Sequence, residues 1–120
     1  MAEMRRTLIV TGGGAGIGAA VCRLAGSRGY RVCVNYLSDS ARAARVVAEI
    51  EAAGGEAVAV QADVSTAAGV SRLFAESDER LGPLSALVNN AATLETQMRL
   101  DAMNEARLVR VFTTNIIGPF

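Results

Sequence analysis

Apolar residues in this chain follow two alternating rhythms. Short, nearly continuous apolar runs at Thr7 to Val10, Arg31 to Tyr36, Ala57 to Gln61 and Ser85 to Asn89 are separated by longer stretches whose apolar residues return every third or fourth position. A β-branched run bounded by turn residues predicts a buried strand, and the longer period predicts an amphipathic helix. The first helical stretch, Ile17 to about Arg28, puts Ile17, Val21, Leu24 and Ala25 on one stripe and is closed by Gly29 as a C-terminal cap. The second, Ser40 to Ala53, carries Ala43, Val46, Val47 and Ile50 inward and an Arg45/Glu49 pair at i,i+4 outward, ending at Gly54-Gly55. Ser65 or Thr66 opens a third, with Val70, Leu73, Phe74 and Leu81 inward and Gly82-Pro83 as its stop. Asn104 is the cap expected for a fourth.

Strands that are apolar throughout, alternating with helices, predict a parallel sheet covered on both faces. The pattern shows no linker, repeat or low-complexity stretch. It describes one half, and a little more, of a doubly wound α/β fold.

Composition narrows the classes. With 120 residues, 51% of them hydrophobic, and charges that cancel at twelve of each sign, a soluble globular domain is expected rather than a disordered or nucleic-acid-binding segment. No apolar run approaches the roughly 18 residues of a membrane span, and no signal-type segment follows Met1, so the expected location is the cytoplasm. Cys22 and Cys33 lack metal spacing and sit inside buried elements, which predicts reduced core thiols. The absence of histidine excludes a His-based triad or a His-ligated zinc within these residues.

The chemistry concentrates in Thr11-Gly12-Gly13-Gly14-Ala15-Gly16-Ile17-Gly18, directly after the first strand. Glycine weakens regular structure, so such a cluster needs a reason in turn geometry or close approach. Between a strand and a helix, it lets the chain turn, lets backbone approach a pyrophosphate and lets helix and strand pack closely. The phosphates are then met by the free N–H groups at the helix start. Asp63 follows the third strand at the edge where ligands bind in open sheets; it can accept an adenine N–H or serve a local turn into Ser65. Asn89 ends the fourth strand and can bridge unpaired backbone groups. Asn115 shares an i, i+3, i+4, i+7 stripe with Leu108, Val111 and Phe112, which places an amide on the face expected to be buried.

Thr11, Gly12, Gly16 and Gly18 resemble the T-G-x-x-x-G-x-G signature of the short-chain dehydrogenase/reductase family. Asn89-Asn90-Ala91-Ala92 resembles its N-N-A-G motif with Ala92 in the glycine's place, Asp63-Val64 resembles its adenine contact, and Asn115-Ile116-Ile117-Gly118 resembles its N-x-x-G segment. The order and spread of these motifs, from Thr11 to Gly118, make the resemblance specific. It looks nearest to bacterial sugar-dehydrogenase-like and acyl-carrier-protein-reductase-like members. The resemblance implies a Rossmann-type fold whose N-terminal portion, four strand-helix units over residues 1–120, belongs to a single NAD(P)-binding domain.

By the same resemblance Gly12, Gly14, Ala15, Gly16, Ile17 and Gly18 hold the cofactor's phosphates, and Asp63 and Val64 hold its adenine. Asn90, Ala91 and Ala92 line the ribose and nicotinamide side. Asn89 ties the glycine loop to strand four through Thr11. Asn115 is catalytic, holding a water that leads to a lysine. A homo-oligomer, dimer or tetramer, is also implied.

Cofactor choice depends on the end of the second strand, where an acid binds the ribose of NAD and a basic residue suits the 2′-phosphate of NADP. Tyr36 stands in the acid's place, Asn35, Ser38 and Ser40 offer neutral hydrogen bonds, and Arg42 offers a cation from the first helical turn. Asp39 reads as loop and helix cap, and Ala15 stands where NADP-preferring members often carry arginine. The expectation is NADP, with NAD as the alternative. The family's proton-transfer tyrosine has a lysine four residues on, but Tyr30 and Tyr36 are followed by Val34 and Ser40, and the sequence has no lysine. These 120 residues are therefore expected to be the N-terminal part of a longer reductase and to be inactive alone. Two other readings stay open: a non-catalytic dinucleotide sensor or scaffold of the same fold, and an epimerase or dehydratase of the extended branch, whose T-G-x-x-G-x-x-G spacing Gly12, Gly16 and Gly18 fit less well.

Overall fold

The computed structural model describes residues 6–90. Strands β1 (Thr7–Val10), β2 (Arg31–Tyr36), β3 (Glu56–Gln61) and β4 (Leu84–Val88) form one parallel sheet in the order β3-β2-β1-β4. Helices α1 (Gly16–Ser27), α2 (Ser40–Ala52) and α3 (Ala67–Leu81) connect them in turn. The chain winds outward from β1 to β3 and then crosses back to place β4 on β1's other side, so the direction of winding reverses between β1 and β4. That reversal opens a crevice at the carboxyl ends of the strands.

Period-two alternation divides the sheet's side chains between two cores. Leu8, Val10, Val32 and Val34 pack beneath α1 and α2 with Ala43, Val46 and Ile50. Ile9, Cys33 and Val60 face the other way and pack with Leu73 and Leu81 of α3. Cys22 and Cys33 are free thiols, both buried, and they belong to opposite cores.

Helix ends follow the sequence closely. Asp39 caps α2 by accepting from Arg42 N–H, and Thr66 caps α3 by accepting from Gly69 N–H. Gly29 takes a φ of +89° just past α1, where its N–H reaches Gly26 O and that of Tyr30 reaches Ala25 O.

The buried stripe of α1 differs from the expected one. Ile17 is 77% exposed and Leu24 56% exposed, whereas Gly18, Ala19, Cys22, Ala25 and Gly26 are buried. The helix meets the sheet through its small residues, because only they allow the close approach that the glycine loop imposes. On α2 the expected inward face is present, but Glu49 pairs with Arg23 of α1 instead of Arg45. On α3, Ser77 joins Leu73 and Leu81 inside while Phe74 is partly exposed. Strand β4 was expected to be buried on both faces; Leu84, Ser85 and Ala86 are exposed, as β4 forms one edge of the described sheet.

Ile50 joins α2 to α1. Its methyl groups fill the space above Gly26 and Gly55, where an added Cβ would come within 2.8 and 2.7 Å of Ile50 Cγ2. Ile50→Ala should cost about 2–5 kcal/mol of unfolding free energy, read as a lower urea midpoint with an unchanged slope.

Candidate functional site

The residues singled out along the sequence converge at the carboxyl edge of the sheet. After Val10 the chain leaves β1 through Thr11 and turns at Gly12, whose φ is +63°. It passes Gly14 against the first turn of α2, with a Cβ on Gly14 lying 3.3 Å from Ala43 N, and enters α1 at Gly16 with φ +55°. Both angles are left-handed and favour glycine. Gly16 has open space on its Cβ side, so the tip of the loop formed by Ala15, Gly16 and Ile17 presents backbone to solvent.

Gly18 is packed on all sides. A Cβ built there would collide with Gly12 O and lie 2.5 Å from Asn90 Nδ2. The first turn of α1 stands directly above the end of β1 and carries no acidic residue. Its N–H groups and positive dipole end are thus turned toward the loop's open side. Room for backbone approach, exposed amide donors and no opposing carboxylate in that turn are what a pyrophosphate requires.

The ends of two neighbouring strands, β4 and β2, hold the loop from below. Thr11 N–H donates to Val88 O at 3.1 Å, and Thr11 Oγ1 accepts from Asn90 N–H at 2.9 Å. Asn90 Nδ2 donates to Gly12 O at 3.0 Å. The tie between the glycine loop and β4, expected from Asn89, is therefore made by Asn90. Register explains the difference: Val10 pairs with Val88, so two residues further on Gly12 meets Asn90. Asn89 instead borders an apolar hollow between α3 and β4, with Val64, Leu73, Phe74 and Leu87. From the loop's opposite side, Cys22 Sγ donates weakly to Gly13 O at 3.7 Å. Burial pushes the Cys22 thiol up to about 12 and that of Cys33 up to about 11, so both stay protonated.

Asn35 departs from its expected part as a direct cofactor contact. It is 2% exposed, and its carboxamide is committed inside the protein, to Gly12 N–H, Val60 O and Ala62 O. Tyr36 is half-buried and packs its ring against the core under α1 and α2. Ser38 and Arg42 are exposed at the start of α2, where the Arg42 guanidinium lies 3.2 Å from Asp39 Oδ2. Across the sheet's end, Asp63 is exposed and Val64 is buried. The hydroxyl of Ser65 and then its backbone N–H bond Asp63 Oδ1, holding that carboxyl below the usual aspartate value. The local turn into Ser65 is thus made, and the rest of the carboxylate faces solvent. Ala91, Ala92 and Asn115 lie outside the described residues. Among the described residues no cluster of metal-ligating side chains occurs, and no helix is long and apolar enough to cross a membrane.

A family model described as short chain dehydrogenase matches residues 6–120. The chain belongs to the short-chain dehydrogenase family. It is 42% identical over 112 residues to the oxidoreductase YgfF of Escherichia coli (strain K12), an alignment that takes in 93% of this chain and 45% of YgfF. A short-chain dehydrogenase/reductase from Serratia marcescens BCRC 10948 is similar in structure, with a TM-score of 0.88 at 30% identity over 94% of this chain and 46% of its own. A Burkholderia cenocepacia dehydrogenase with bound NADP gives a TM-score of 0.86 at 27% identity over 95% of this chain and 44% of its own. The chain thus spans about half the length of the relatives it matches.

Two features of this edge of the sheet are open to measurement. Gly18→Ala forces a methyl group against Gly12 O and Asn90, and should cost about 1–3 kcal/mol of stability. Asp63 has a lowered folded-state pKa, so its contribution to stability is complete above the ordinary value of 3.8 and is lost as pH falls through the lower folded value. Asp63→Asn lacks that contribution at every pH. The stability gap between wild type and Asp63→Asn, followed by urea unfolding, should therefore close in acid.

Proposed function

We propose that the protein binds a nicotinamide dinucleotide, NADP(H) in preference to NAD(H), and serves hydride transfer between the nicotinamide and an alcohol or carbonyl carbon of a small molecule. The observation that carries this reading is the cradle: a loop with two left-handed glycines, and Gly18 packed so tightly that α1 stands over the end of β1. The bound nicotinamide would supply or accept the hydride. The chain's own residues bind and orient. Gly12, Gly14, Ala15, Gly16, Ile17 and Gly18 hold the pyrophosphate against the α1 amides, and Asp63 and Val64 receive the adenine edge. Asn90, Ala91 and Ala92 line the ribose toward the nicotinamide.

Preference for the 2′-phosphate follows from the start of α2. The position at the end of β2 that would offer an acid to a ribose holds Tyr36, whose ring is turned into the core. Arg42, Ser38 and Ser40 offer a cation and hydroxyls beside it. The NADP in the Burkholderia cenocepacia relative supports a dinucleotide of this kind. Asn115 is assigned to the catalytic machinery through its N-x-x-G segment. On this reading the tyrosine and lysine that move the proton are supplied by sequence other than these 120 residues. Resemblance alone supports a cytoplasmic homo-oligomer.

The test is a fluorescence titration of the natural polypeptide with NADPH and with NADH, followed by hydride transfer to a panel of small carbonyl compounds. Tighter NADPH binding with turnover is the expected outcome. Binding without turnover of any carbonyl or alcohol would leave a non-catalytic dinucleotide binder, and binding of neither would overturn the reading. Loss of a charge-assisted bond of about 1.5–3 kcal/mol in Arg42→Ala should weaken NADPH by roughly tenfold or more while leaving NADH nearly unchanged. Equal loss for both would remove Arg42 from the 2′-phosphate site.

A further inference from the structure

Two chain segments reach the carboxyl edge of the sheet with backbone groups that no strand pairing satisfies. The chain leaves β1 at Thr11, so Gly12 N–H has no neighbour in the ladder. It leaves β3 after Gln61, so the carbonyl of Ala62 lies past the ladder, while Val60, still inside β3, pairs with Asn35 in the register. Buried backbone groups of this kind must be paired. Asn35, next to last in β2 and between the two departures, meets both and Val60 O besides: Oδ1 accepts from Gly12 N–H at 3.3 Å, and Nδ2 donates to Val60 O and Ala62 O at 3.2 Å each. Its own carbonyl accepts from Gly13 N–H at 2.9 Å. One residue thus grips two consecutive amides of the glycine loop and the end of β3.

The identity of the side chain matters. A carboxamide carries an acceptor and two donor hydrogens on one rigid plane, which is the set these partners require. Aspartate would turn a carboxylate oxygen toward two carbonyls, and serine is too short to span them. The neighbouring bonds do not replace it. Ala62 N–H to Tyr36 O at 3.0 Å and Gln61 Nε2 to Leu37 O at 3.0 Å fasten β3 to β2 and leave the loop untouched.

We propose that Asn35 is a positioning residue for the cofactor: it sets the distance between the pyrophosphate loop at Gly12 and Gly13 and the adenosine end at Asp63 and Val64. This rests on the dinucleotide reading above. Asp63 follows Ala62 directly, so the amide that anchors Ala62 O also anchors the approach to Asp63. A ligand that touches both ends requires that distance. A ligand that touches only the adenosine end does not.

The experiment compares two ligands on the natural polypeptide and on Asn35→Ser, by calorimetric titration with NADPH and with adenosine 2′-monophosphate. Asn35→Ser should lose about tenfold in NADPH affinity while its affinity for adenosine 2′-monophosphate stays within about twofold. Equal loss for the two ligands, or no loss for either, overturns the inference while the dinucleotide reading stands. Failure of the wild type to bind NADPH or NADH overturns both. Should Asn35→Ser not fold, hydrogen exchange on the ligand-free wild type decides. The Gly12 amide, held by Asn35, should exchange at least tenfold more slowly than that of the exposed Ala15, and exchange as fast as Ala15 overturns the inference.

Discussion

The structure depends on one close approach, that of the α1 backbone at Gly18 to the carbonyl of Gly12. Neither side of this contact has a side chain to yield, so helix and strand end are fixed at backbone distance. Much of the upper edge of the sheet follows from it. The loop between them must turn through left-handed conformations, which Gly12 and Gly16 supply. The helix must enter with its amide end over the strand, and its packing face must be small, which explains Ala19, Cys22, Ala25 and Gly26 inside and Ile17 and Leu24 outside.

A loop held this tightly still needs its own polar groups paired. The sheet order provides partners on both sides: β4 through Asn90, and β2 through Asn35. Both are amides, and each reaches Gly12, one at its carbonyl and one at its N–H. A carboxamide is uncharged yet donates and accepts from separate atoms, so it can close a turn without placing a charge at the loop. The loop is thus preorganised by neutral groups, and charge is left to the helix end and to side chains at the periphery.

The strands, the helix ends and the position of the glycine loop were legible in the sequence because they are local: β-branched runs, Asp39 and Thr66 as caps, Gly29 and Gly82 as stops. What escaped was set by neighbours far along the chain. Bulky apolar residues on α1 suggested an inward stripe, but the contact at Gly18 turns the small residues inward. Glu49 has a partner at the right helical spacing in Arg45, yet takes Arg23 because α1 and α2 lie side by side. Asn35 looked like a ligand contact because it is polar and stands at the binding edge. Its burial follows only once β2 is known to lie between β1 and β3, which surrounds it with the Gly12 N–H and the Val60 and Ala62 carbonyls. Asn90 makes the tie expected of Asn89 for the same reason: which of the pair meets Gly12 depends on the register of β4 against β1.

The start of α2 shows how exposure sets what a charge can do. Arg42 and Asp39 together bring no net charge, so counting residues favours neither cofactor. Their ion pair is exposed on both sides, and such a pair is worth only about 0.2–1 kcal/mol. A phosphate dianion with three acceptor oxygens offers a guanidinium a stronger, charge-assisted geometry than the existing contact at 3.2 Å. Asp39 also remains useful without Arg42's side chain, because its Oδ1 accepts from the Arg42 backbone N–H as the helix cap. The guanidinium can therefore swing to a 2′-phosphate while the cap stays in place. Were the pair buried, separating it would strand a charge at a cost of about 3–5 kcal/mol, and Arg42 would be a fixed structural element instead of an available ligand.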